Sequence, residues 1–87
     1  MSYEVRLRRA AQKQLDTVSA KDYENIARII SSMEKNPRPK KTKKLSESGL
    51  WRIRIGDFRI VYAIDDEAQV IIIVRVVRRK EDTNKNL

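Results

Sequence analysis

The sequence predicts an α+β fold in which an N-terminal strand and a helix hairpin pack on one face of a mainly antiparallel sheet, in the order β-α-α-β-β-β. Three observations lead there. Apolar residues alternate with charged ones at the N-terminus, recur at spacings of three and four between Ala10 and Met33, and gather in short β-branched and aromatic runs after Leu50. At 87 residues the chain has room for one core. A single domain over 1–87 is therefore expected, with a polar tail from about residue 80.

The elements follow in order. Tyr3-Glu4-Val5-Arg6-Leu7-Arg8 has the period of a half-buried strand. From Arg9 the period changes, and Ala10, Ala11, Leu15 and Val18 form one stripe of a helix that ends near Ser19. Ser19 is the expected N-cap of a second helix, with Asp22 as the acidic half of a capping box. Tyr23, Ile26, Ala27, Ile30 and Met33 make that helix's buried face, and Asn36-Pro37-Arg38-Pro39 stops it. Lys40-Lys41-Thr42-Lys43-Lys44 reads as a basic loop. Its lysines can reach phosphates once another surface has placed a nucleic acid nearby. Residues 50–55, 58–64 and about 69–77 are three strands, the first two joined by a two-residue turn at Gly56-Asp57.

That turn fixes a register. It sets Ile55 opposite Phe58, Arg54 opposite Arg59, Ile53 opposite Ile60 and Trp51 opposite Tyr62. Side chains alternate faces. Trp51, Ile53, Ile55, Phe58, Ile60, Tyr62 and Ile64 thus share an apolar face, with Trp51 and Phe58 as core anchors beneath the helices. Arg52, Arg54, Arg59, Val61 and Ala63 share the other. In the last strand Val70, Ile72, Val74 and Val76 are free of charge and should join the apolar face, which requires an odd loop at Asp66-Glu67-Ala68 or a bulge. Arg59 then lies across from Arg75, and Ile71 and Ile73 add to an apolar floor among the arginines. Arg54 and Arg59 face each other although like charges so placed cost a few tenths to about 1 kcal/mol. A surface built that way suits an anion, and arginine's planar, bidentate donors suit phosphate.

Composition narrows the partner. Twenty Lys and Arg against twelve Asp and Glu give a net charge of +8, which favours a polyanion, nucleic acid first. The chain has no cysteine and no histidine, which closes thiolate chemistry and the imidazole acid–base route of many ribonucleases. Arginine stays protonated and is a poor general base. The carboxylates at Glu47, Asp57 and Asp65-Asp66-Glu67 read as turn and surface residues, so no metal and no cofactor is expected. The longest apolar run, Val70 to Val74, is far short of the roughly 20 residues that cross a bilayer, and the N-terminus lacks a signal-peptide stretch. A cytoplasmic protein without membrane contact is expected.

Particular strings resemble the RelE/ParE toxin superfamily. Leu50-Trp51-Arg52-Ile53-Arg54-Ile55-Gly56-Asp57-Phe58-Arg59-Ile60-Val61-Tyr62 resembles its aromatic and basic hairpin, and Val74-Arg75-Val76-Val77-Arg78-Arg79-Lys80-Glu81 its last strand and the basic segment beyond. The RelE-type resemblance implies a toxin of a type II toxin–antitoxin system, a metal-free mRNA interferase that cleaves messenger in the ribosomal A site. It implies a RelB-like antitoxin as partner, with ribosome and mRNA as targets. By the same resemblance Arg52 and Arg54 are the paired basic residues on the RNA backbone, Arg59 is the second-strand arginine, and Arg79 is the one after the last strand. Arg75, Arg78, Lys80, Lys43 and Lys44 are the expected further RNA contacts. The sequence departs from the RelE pattern where a tyrosine commonly follows the last arginine: Thr83 and Asn84 stand there. Two alternatives therefore stay open, a ParE-like inhibitor of DNA gyrase and a non-catalytic RNA- or ribosome-binding module.

Overall fold

The structure, a computed structural model, describes residues 2–45 and 48–78. Its elements run β1 (Glu4–Leu7), α1 (Arg9–Leu15), α2 (Ala20–Met33), β2 (Lys43–Leu45), β3 (Leu50–Ile55), β4 (Phe58–Asp65) and β5 (Val70–Arg78). One sheet holds all five strands in the order β1-β5-β4-β3-β2, with β1 parallel to β5 and the other pairs antiparallel.

The helix hairpin is as expected, but α1 is shorter. It ends at Leu15, before the β-branched pair Thr17-Val18, where the Thr17 hydroxyl donates to the Gln14 carbonyl at 2.7 Å. Such a side-chain bond competes with the helical ladder. Ser19 caps α2 by accepting the Asp22 N–H at 3.1 Å. Ala11, Leu15, Ile26 and Met33 from the helices meet Ile53, Phe58, Ile60, Tyr62, Ile71, Ile73 and Val76 of the sheet in one core cluster. Tyr23 is a correction. It is 47 % exposed, lining an open groove with Val5, Leu7, Leu15, Ala27 and Ile30 that no other element fills among the described residues.

The β3–β4 hairpin has the expected register, Ile55↔Phe58 through Trp51↔Tyr62. Gly56 takes φ +57°, a left-handed value that an L side chain resists. Two expectations about the rest of the sheet are corrected. Lys43–Leu45 is an edge strand paired with β3, where a loop was expected; three residues with two lysines carry no strand signal of their own. In β5 the face assignment is inverted over its first half. Asp65 pairs with Val70 across an even, four-residue turn, so Ile71 and Ile73 point into the core and are fully buried. A bulge then leaves Val74 without a partner, since Tyr62 pairs with Ile73 and Val61 with Arg75. Beyond it Val76 is buried, as expected. The bulge supplies the one-residue shift, but in mid-strand and not at the turn. Arg59 consequently faces Val77, and Arg75 faces Val61. No helix among the described residues is long and apolar enough to cross a membrane.

Candidate nucleic-acid interface

The sheet face turned away from the helices can be read as rows running across the strands, one row every second residue, about 7 Å apart. The row nearest the Gly56 turn is Val77–Arg59–Arg54. The next is Arg75–Val61–Arg52–Lys43, in register over four strands. The third is apolar, with Ile72 and Ala63 paired and flanked by Arg6 on β1. The fourth, Glu4–Val70–Asp65, carries two carboxylates. Charge on this face therefore changes sign along the strand axis.

Arg52, Arg54, Arg59 and Arg75 thus lie on one face, as the sequence indicates. The apolar floor beside them is Val61, Ala63, Ile72 and Val77, and Ile71 and Ile73 are withdrawn from it. The carboxylates of Glu4 and Asp65 also stand on this face, Asp65 having been expected in a loop. Both are spent locally: Glu4 pairs with Arg6 at 2.8 Å, and Asp65 Oδ1 accepts the Ala68 N–H at 3.0 Å. Among the described residues the ion pairs Arg6–Glu4 and Arg38–Asp66 leave out Arg52, Arg59 and Arg75. Arg59 Nε is buried and has no hydrogen-bond partner among the described residues. A buried donor left that way is costly, roughly 1–3 kcal/mol, until an acceptor arrives.

The remaining expected contacts divide. Lys43 joins the arginines through its pairing with Arg52. Lys44 does not: it pairs with Trp51 on the opposite face, its ammonium 5.7 Å from the ring centroid. Arg78 is also on that opposite parity, and its guanidinium lies 4.7 Å from the centroid of Phe58. A one-residue offset in each strand end decides both. Arg79, Lys80, Glu47, Thr83, Asn84 and the expected polar tail lie outside the described residues.

A second arrangement flanks the face and has no local sequence signal. Arg38, between two prolines, stacks 4.7 Å from the Trp51 centroid and forms a two-pronged bond to Asp66, at 2.8 and 3.3 Å. Tyr3 donates to the same carboxylate at 2.7 Å. Arg38 and then Tyr3 hold the Asp66 carboxyl below the usual carboxylate range, and the bond to Asp66 pushes the Tyr3 phenol up. Behind them the buried Tyr62 hydroxyl donates to the Pro37 carbonyl at 2.9 Å and lies 3.2 Å from the Thr42 hydroxyl. Burial raises the Tyr62 phenol as well. The connection from α2 to β2 is thereby pinned at three points.

The model of the ParE toxin family, of the type II toxin–antitoxin system parDE, matches residues 5–83. The chain belongs to the RelE/ParE toxin superfamily. A candidate toxin of Methanocaldococcus jannaschii, RelE1, is 32 % identical over 92 residues, covering 99 % of each chain. The toxin fold is shared with the archaeal RelE–RelB complex of Pyrococcus horikoshii, at a TM-score of 0.83 and 27 % identity over 91 % of this chain and 97 % of that one. It is shared with the RelBE2 toxin–antitoxin complex of Mycobacterium tuberculosis, at 0.80 and 26 % over 91 % and 100 %. As a superfamily member this toxin has the expected helix hairpin on a mainly antiparallel sheet.

Proposed function

We propose that the toxin is a RelE-type, ribosome-dependent endoribonuclease, and that a RelB-like antitoxin neutralises it by covering the arginine face. The observation that carries the reading is the set Arg52, Arg54, Arg59 and Arg75 on one face, with a buried Arg59 Nε that has no acceptor among the described residues. A phosphate oxygen would supply that acceptor. In the reaction the 2′-oxygen forms a bond to the neighbouring phosphorus and the bond from phosphorus to the 5′-oxygen breaks. The 2′-hydroxyl proton is given up to water, and the departing 5′-oxygen takes one back. Guanidinium groups at positions 52, 54 and 59, with Arg79, stabilise the extra charge of the phosphorane, the kind of gain that preorganised donors provide. The relatives support the antitoxin, since two of the solved structures that resemble this chain are complexes with RelB-type partners.

Programmed ribosomes test the reading. Messenger ends mapped by primer extension should show A-site cuts with the wild-type chain and none with Arg59→Ala or Arg79→Ala, both still folded by circular dichroism. Undiminished cleavage in both variants overturns the site assignment. One observation favours a second reading: the matching family model is that of ParE. A ParE-like gyrase inhibitor would block supercoiling by purified gyrase and leave ribosome-bound messenger intact.

A further inference from the structure

The lysine turn before β2 holds a non-glycine residue in a left-handed backbone conformation. Thr42 N–H donates to the Pro39 carbonyl at 3.0 Å, closing a turn over Lys40 and Lys41. Lys41 sits in it at φ +79°. A turn of this kind favours glycine or asparagine at its third position, because a Cβ there crowds the backbone. Lysine stands there instead, and it is exposed. The turn is also held firmly in place. From the sheet the Tyr62 hydroxyl meets the Thr42 hydroxyl of the turn and donates to the Pro37 carbonyl just before it, and Arg38 anchors the same connection to Asp66 and Trp51. Directly after it Lys43 enters the row Arg75–Val61–Arg52–Lys43. The cationic row thus ends on the β2 edge strand at Lys43, two residues after Lys41. In the other direction along the strands, the Glu4–Val70–Asp65 row adds no cation.

We infer that the turn carrying Lys40 and Lys41 is a second phosphodiester contact, which receives the bound single strand where it leaves the arginine face over the β2 edge. The inference rests on the nucleic-acid reading of that face and adds a path to it: the strand lies across the β-strands, and its far end is read by charge alone. Strands in a sheet are about 4.8 Å apart, so a ligand confined to Arg59, Arg54 and Arg52 does not reach the turn and a longer one does.

Lys41→Gly separates this role from a structural one, because it removes the charge and relieves the backbone at the same time. The probes are a tetranucleotide and a dodecanucleotide of single-stranded RNA with non-cleavable 2′-O-methyl sugars, titrated at several salt concentrations. With the dodecanucleotide Lys41→Gly should bind about five-fold more weakly near 0.1 M salt, and the log–log salt slope should become shallower by about 0.7, the loss of one single-strand phosphate contact. Tm should stay the same or rise, tetranucleotide binding should not change, and Lys41→Arg should retain wild-type affinity. Dodecanucleotide binding unaltered in Lys41→Gly, or lost equally with the tetranucleotide, overturns the inference while leaving the arginine face intact. A wild-type chain that binds neither probe overturns the nucleic-acid reading itself, and this inference with it.

Discussion

Asp66 shows how much a single residue can hold together. It accepts from Tyr3 of the N-terminal segment and from Arg38 of the connection to β2, and so ties three remote stretches at the turn between β4 and β5. Its carboxyl is held low, by Arg38 first and Tyr3 second, so the ionised form stabilises the fold. That contribution is present above the ordinary carboxylate range and is lost as pH falls through the depressed folded value. Tyr3, raised first by its bond to Asp66, gives the opposite limb: its contribution is present below the ordinary phenol range and is lost as pH rises through the raised value. Thermal melts of wild type and Asp66→Asn should therefore differ most at neutral pH and converge in acid. A constant difference down to the most acidic melts would show that the carboxylate charge plays no part. Nothing at positions 3, 38, 51 or 66 announces this clasp in the sequence, since each residue has ordinary neighbours and the contacts span up to 63 positions.

The decisive element is β5. Nine residues, seven of them apolar, give either face a plausible core, and a one-residue slip exchanges the two. The structure uses both assignments in turn, one before the bulge at Val74 and the other after it. This makes a sharp mutational contrast. Ile73→Ala removes a fully buried side chain beside Tyr62 and should cost about 2–5 kcal/mol, whereas Ile72→Ala, half-buried on the arginine face, should cost about 1 kcal/mol or less. Urea midpoints of the two variants check it, and the reverse ranking would restore the bulge-free strand. The β3–β4 hairpin needed no such arbitration. Gly56-Asp57 sets its register, and with it the facing of Arg52, Arg54 and Arg59.

At the scale of the whole molecule the charge of +8 is not spread evenly. Rows of arginine, then aliphatic residues, then carboxylates follow one another along the face away from the helices. Such a face should bind single-stranded RNA mainly through phosphates. Four arginine contacts predict a log–log salt slope of about −3 for a short strand, at about 0.7 per phosphate. Titrations between low and physiological salt measure it. A slope near zero would mean that the arginines do not meet phosphates at all.

The sequence by itself determined the helix hairpin, the β3–β4 register and the common facing of Arg52, Arg54 and Arg59, because each depends on local period or on one tight turn. It also carried the family, through strings short enough to survive divergence. Only the tertiary structure decided the β2 edge strand, the parity of Ile71 and Ile73, the places of Lys44 and Arg78, and the Arg38 clasp. These depend on pairings between distant segments, where a single extra residue turns every following side chain over and no neighbouring residue records the choice.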